Sequence, residues 1–428
     1  MRILIRKGYL IDPASGSEGE RDILIEDGVI TKIAPSLKAL QTDTTIEAKG
    51  KWVIPGLLDL HTHLREPGRE DEETIYTGAR AGVKGGYVAL CCMPNTDPPI
   101  DDPSVVELIQ QKARSSPLNV YPIGCISRKR EGKALSEMGL LKEAGVVGFS
   151  DDGEPVMDSL LLRRAMEYSL LLDLPLILHC EDKKLSLNGV MHEGYLSSLL
   201  GLPGIPSEAE EVMVKRDLEL ARLTGAKIHI AHVSCKKSVE YIKEAKEKGI
   251  KVTAEVTPHH LLLTDKAVLN FDTNTKVNPP LRSDADRQAL LEGLKEGIID
   301  VISTDHAPHL STEKEYDFLA APFGMVGLEI SFSALFTQLV ATGALSALEL
   351  VKAMSFTPAE IFHLPGGTIS IGALASLSIF NPSTEWVVSR DTLESLSYNT
   401  PFLGKRLTGK FEWVIIEGKI VQEEGKIR

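Results

Sequence analysis

His61 and His63 stand two residues apart in Asp59-Leu-His-Thr-His-Leu-Arg-Glu-Pro-Gly68, just after the apolar run Gly56-Leu-Leu-Asp-Leu60. Side chains two apart on an extended chain share a face, so both imidazoles can reach one cation. A single His-x-His is a common structural accident. Recurrence is what lifts this one: Asp151 and Asp152 follow Val146-Val-Gly-Phe149, His179 follows Pro175-Leu-Ile-Leu178, His232 follows Lys227-Ile-His-Ile-Ala231 and Asp305 follows Ile299-Asp-Val-Ile-Ser303. Any one of these could be a satisfied core histidine or a loop aspartate. Five run ends carrying them together point to one site. Imidazole and carboxylate without thiolate suit Zn²⁺ with an open water position, and zinc lowers the pKa of that water to about 7, which makes hydroxide the nucleophile. Asp152 is favoured as a carboxylate shared between two cations. Asp305 is suited to take a proton during attack and deliver it to a leaving nitrogen.

These residues must be positioned by the elements that precede them. Between Trp52 and about Ile302 a short β-rich apolar run, a polar or Gly/Pro loop and a helix-period segment recur eight times; the remaining runs are Tyr87-Val-Ala-Leu-Cys-Cys92, Asn119-Val-Tyr-Pro-Ile-Gly124 and Lys251-Val-Thr-Ala-Glu-Val256. Eight strand–helix units predict an α/β fold of the (β/α)8 TIM-barrel type over residues 52–365, with its catalytic groups at the C-terminal ends of the strands. Residues 1–51 and 366–428 read as short strands with tight turns such as Asp27-Gly28 and Glu417-Gly418. Both termini are therefore expected to build one small β-sandwich.

With 428 residues, 43% of them hydrophobic, the chain can bury one large core and a smaller one. Its net charge of -13 without a basic stripe argues against nucleic acid. The apolar runs fall far short of a membrane span, and the start, Met-Arg-Ile-Leu-Ile-Arg-Lys, does not read as a signal peptide, so a cytoplasmic location is expected. The cysteines, Cys91, Cys92, Cys125, Cys180 and Cys235, are odd in number and contain no Cys-x-x-Cys pair. A disulfide framework or thiolate zinc site is not expected; buried, reduced thiols are.

In this order along the chain, His61-Thr-His63-Leu-Arg65, Met93-Pro-Asn-Thr96, Asn278-Pro-Pro280 and Asp305-His-Ala-Pro-His309 resemble the dihydroorotase family of the amidohydrolase superfamily, in its bacterial type I form. The segment Ala321-Pro-Phe-Gly-Met-Val-Gly-Leu-Glu329 looks like that family's substrate-side loop, which brings in Pro322 and Gly324. The resemblance implies that His61, His63 and Asp152 bind one zinc, that Asp152, His179 and His232 bind a second, and that Asp305 is both ligand and proton shuttle. Asp151, one residue away, is the alternative to Asp152. It further implies that Arg65 and Asn95 clamp the α-carboxylate of dihydroorotate, with His309 as a third donor and Asn278 near the ring. An arginine fork two residues beyond a ligand histidine suits bidentate carboxylate binding; the plain alternatives are an ion pair of Arg65 with Glu66 or Glu70 and a turn role for Asn95.

The activity so implied is the reversible cyclisation of N-carbamoyl-L-aspartate to L-dihydroorotate in pyrimidine synthesis, with one or two zinc ions per chain. Many amidohydrolases carry a bridging, carboxylated lysine at the end of strand four. Here Gly148-Phe-Ser-Asp-Asp-Gly153 has none, which speaks against the rival reading as an allantoinase or hydantoinase. A non-catalytic scaffold for aspartate transcarbamoylase is the other rival, although every ligand position is filled. The resemblance implies association with that enzyme and a homo-oligomer. His259 and His260 are expected to be structural or to support ligands, and the polar segment Leu310 to Ala320 to be a lid or a crossing loop.

Overall fold

In the computed structural model, which describes residues 1–38 and 42–428, all eight apolar runs form short parallel strands. They are Leu57–Thr62, Tyr87–Cys92, Asn119–Pro122 continued by Gly124–Cys125, Phe149–Ser150, Leu176–Leu178, Ile228–Ile230, Val252–Val256 and Val301–Ile302. Adjacent strands pair in chain order, with Leu90 opposite Val120, Phe149 opposite both Gly124 and Leu176, Leu178 opposite Ile230, and Val256 opposite Ile302. The circle is joined beyond the eighth strand, where Thr62 and His306 form a parallel bridge and the His63 amide donates to the His306 carbonyl at 2.9 Å. The Asp59 carboxylate reinforces that seam by accepting from the Thr304 amide at 3.2 Å. Every residue of the first two strands is buried, as parallel strands covered on both faces require.

Helices pack around this ring. Ser159–Leu172 begins at Asp158, whose side chain accepts from the amides of Leu160 and Leu161, and it buries Leu162, Ala165, Met166 and Ser169 at helical spacing. Trimming Leu162 to alanine would cost about 2–5 kcal/mol, because its site is wholly enclosed. Pro103–Ala113 starts the same way, with Asp102 as its cap and Pro103 in the first turn, where no amide donor is needed.

Both termini meet in one nine-stranded sheet with its own apolar cluster, including Ile3, Ile5, Ile23, Ile25, Val53, Leu377, Ile379 and Ile415. Its centre is Trp52–Pro55, which pairs in parallel with Arg2–Asp12 and antiparallel with Leu377–Val387. The chain then enters the barrel at Gly56. A Cβ there would lie 2.2 Å from a Val88 methyl, so only glycine lets the strands approach. Among the described residues no helix is long and apolar enough to cross a membrane. All five cysteines are free and buried.

Candidate active site

The barrel brings His61, His63, Asp152, His179, His232 and Asp305 to one mouth, all buried. Asp152 lies at the centre. Its Oδ1 is 3.5 Å from His61 Nε2, 3.7 Å from His179 Nδ1 and 3.4 Å from His232 Nε2, and its Oδ2 is 3.6 Å from His63 Nε2. Asp305 Oδ1 lies 3.0 Å from His63 Nε2 and 3.6 Å from His61 Nε2. The neighbouring Asp151 turns away, its carboxylate taken by the Ser127 hydroxyl and by the amides of Ile126 and Ser127 at 2.9 and 3.1 Å. Adjacent side chains diverge, so only one of the two aspartates can face the mouth.

This set fits a divalent cation. Donor atoms of His61, Asp152 and His232, and those of His61, His63 and Asp305, lie within 4.8 Å of one another. Tetrahedral bonds of roughly 2.0–2.1 Å place ligand atoms about 3.3 Å apart, close to the spacings seen here. His61 Nε2 is buried without a hydrogen-bond partner, a condition costing about 1–3 kcal/mol unless something bonds to it. His232 and Asp305 hold left-handed backbone at φ 32° and 48°, strain that the surrounding packing must offset.

The outer ring nitrogens are held as well. His61 Nδ1 lies 2.6 Å from Glu255 Oε1, His63 Nδ1 2.8 Å from Asn95 Oδ1, and His179 Nε2 2.8 Å from Glu181 Oε2. These oxygens only accept, so the nitrogen facing each carries a hydrogen, and the opposite nitrogen is the one turned toward the centre. Burial pushes the His61 pKa down, but the charges of Asp152 and Glu255 outweigh it and raise it well above the ordinary histidine value. In His179, burial is likewise outweighed by Asp152 and Glu181, lifting the ring to about 9. Burial would raise Asp305, yet its bond to His63 and the charge of His61 bring it down to about 2. The cluster of buried carboxylates thus demands positive charge at its centre.

A cavity of about 360 Å³ opens over this centre, lined among others by His63, Arg65, Asn95, Asp152, Asn278, Asp305, His309 and Gly324. Arg65 does not pair with Glu66 or Glu70. Glu66 accepts from the Ile75 amide and pairs with Lys112, while Arg65 Nε lies 3.0 Å from Glu72 Oε2. Asn278 donates to Glu181 at 3.0 Å. A Cβ on Gly324, at φ +132°, would lie 2.7 Å from the Ala307 Cβ, so this wall needs glycine. Pro322 stands off the cavity lining, its carbonyl accepting from Lys314 Nζ at 2.8 Å. The segment after the eighth strand forms the short helix Ser311–Lys314 and is pinned by Lys276, whose amine donates to the carbonyls of Leu319 and Ala321 at 3.0 and 2.7 Å.

His260 is bonded to the Thr257 hydroxyl and the Pro279 carbonyl, and His259, buried beside it, does not line the cavity. Three carboxylates had escaped notice: Glu255, Glu181 and Glu72. A glutamate inside the apolar run Lys251–Val256, and another two residues past His179, were the available signals, since a buried charge needs partners. For Glu72 the sequence offered none.

A family model described as Dihydro-orotase-like matches residues 50–238. The chain is 50% identical to the dihydroorotase of Pelotomaculum thermopropionicum over 428 residues, all of both chains, and 50% identical to that of Syntrophus aciditrophicus over 426 residues, 99% of this chain and 100% of that one. Among solved structures, the L-hydantoinase of Arthrobacter aurescens superposes with a TM-score of 0.89 at 25% identity, covering 100% of this chain and 97% of that one. The dihydropyrimidinase of Brevibacillus agri gives 0.86 at 24%, covering 100% and 96%. Fold and site together define a barrel of the cyclic-amidohydrolase kind. Within that class, the chain belongs to the dihydroorotase family.

Proposed function

We propose that this chain is a dihydroorotase that interconverts N-carbamoyl-L-aspartate and L-dihydroorotate in pyrimidine synthesis, using one or two Zn²⁺ ions held by His61, His63, Asp152, His179, His232 and Asp305. The observation that carries this reading is the contact of Asp152 with all four imidazoles, in a chain half identical to dihydroorotases over its full length. Bound zinc supplies Lewis acidity toward the ring carbonyl and lowers the pKa of water.

The protein's own groups do the rest. Arg65 and His309, with Nη2 and Nε2 3.2 Å apart on the cavity wall, and Asn95 take the α-carboxylate, while Asn278 and Gly324 face the ring. Asp305, 3.0 Å from His63 Nε2 at the same centre, accepts the proton of the attacking water and delivers it to the ring nitrogen as the amide bond breaks. In the reverse direction the carbamoyl nitrogen attacks the side-chain carboxyl group and an oxygen leaves as water, so low pH favours closure.

The deciding experiment is turnover of dihydroorotate by the purified chain, stripped of metal and then titrated with zinc. Activity that appears and saturates supports the reading, and the saturation point counts the ions. The likeness to the Arthrobacter aurescens L-hydantoinase keeps one rival in view: turnover of hydantoin without turnover of dihydroorotate would replace this assignment. The reading also includes self-association and partnership with aspartate transcarbamoylase, for which co-sedimentation of the purified proteins is the check.

A further inference from the structure

We propose that Glu72 is a positioning residue that aims the carboxylate clamp, holding Arg65 and His309 as one unit against the cavity and so setting affinity for the substrate without touching it. This rests on the reading of Arg65 and His309 as substrate contacts. Between residues 65 and 72 the chain folds back on itself: the Arg69 amide donates to the Arg65 carbonyl at 2.9 Å, and the Glu72 amide to the Arg69 carbonyl at 3.0 Å. The Ser397 hydroxyl donates to the Glu72 carbonyl at 2.7 Å and anchors the returning loop. Glu72 thereby comes to lie behind Arg65, its side chain 1% exposed.

One carboxylate then serves both members of the clamp. Oε2 lies 3.0 Å from Arg65 Nε, and Oε1 lies 2.9 Å from His309 Nδ1 and 3.0 Å from Arg69 Nη2. Arg65 Nε gives its one hydrogen to the Pro308 carbonyl at 3.1 Å, with Glu72 beside it as an ion pair, so its Nη groups are the donors left for the cavity. The Glu72 carboxylate and the Phe323 carbonyl both only accept, so each can take a ring N–H, at Nδ1 and at Nε2 (2.7 Å) respectively, and together they fix the ring's orientation with Nε2 3.2 Å from Arg65 Nη2. Arg65 and His309 line the cavity; Glu72 does not. Its role is therefore pre-organisation, which acts on binding more than on the bond-breaking step.

The test uses the zinc-loaded chain and steady-state kinetics with dihydroorotate. Glu72→Gln removes the charge that Arg65, His309 and Arg69 share and is expected to raise KM by roughly tenfold with kcat held within about twofold. Glu72→Asp keeps the charge but draws it back by one methylene, and is expected to raise KM several-fold; it decides the matter if the glutamine variant does not fold. An unchanged or lowered KM, or a kcat loss equal to the KM effect, overturns the proposal. Arg65→Met separates the two layers: if it leaves KM unchanged the clamp reading itself fails, whereas an Arg65 effect without a Glu72 effect sinks only this inference.

Discussion

Glu255 holds His61 from behind: its Oε1 lies 2.6 Å from His61 Nδ1, and its other oxygen lies 3.2 Å from His229 Nε2, with all three side chains closed off from solvent. His229 is in turn bonded through Nδ1 to the Thr253 hydroxyl at 2.8 Å. Carboxylates placed this way fix the tautomer of a ligand histidine and raise its basicity. Glu255→Gln should lower zinc affinity by about 10–100-fold, measured by competition with a chelating dye. Unchanged affinity would mean that Glu255 serves only the barrel core.

The two aspartates of the centre should separate cleanly. Asp152→Asn removes the charge that four imidazoles share, and metal content by atomic absorption should fall with activity. Asp305→Asn should retain at least one ion yet lose about 10²–10⁴-fold in turnover, the usual contribution of a positioned acid–base group. If Asp305→Asn retains full turnover, the proton shuttle must lie elsewhere.

Metal should also stabilise the fold. An ion present at a hundred times its dissociation constant adds about 2.7 kcal/mol if it binds only the native state. Chelation should therefore lower the melting temperature of the wild-type chain and leave Asp152→Asn unmoved. Equal shifts in the two proteins would place the stabilising ion outside this centre.

Burial pushes Lys314 down to about 7, from an ordinary 10.5, while its amine donates to the carbonyls of Thr273 and Pro322. Below pH 7 the amine is charged in both folded and unfolded chains, and the fold carries the whole desolvation cost. Between 7 and 10.5 the folded amine gives up its proton while the unfolded one keeps it, so the cost shrinks as pH rises. Relative to Lys314→Met, the wild type should gain on the order of a few kcal/mol between pH 6.5 and 10.5. Denaturant unfolding of both proteins checks this; parallel curves would mean the amine stays hydrated.

Much of this was written locally along the chain. Eight apolar runs of strand length, each followed by a helix-period segment, sufficed to predict the barrel, and a barrel gathers strand ends without further instruction. The ligand-type residues at five of those ends could therefore be assembled on paper into the group the structure brings together. The terminal strands were legible as short runs between tight turns such as Asp27-Gly28 and Glu417-Gly418, but the single sheet centred on Trp52–Pro55 was not.

The sequence by itself determined which residue types stand at which strand ends, because periodicity and turn chemistry depend on near neighbours. The tertiary structure alone decided which way they face and what stands behind them. Asp152 rather than Asp151 turns inward because Ser127 captures the latter; Arg65 meets Glu72 rather than Glu66 because the loop doubles back. His61 and Glu255, 194 residues apart, touch only because the barrel closes. Such partnerships are set by the geometry of closure, and no local pattern carries them.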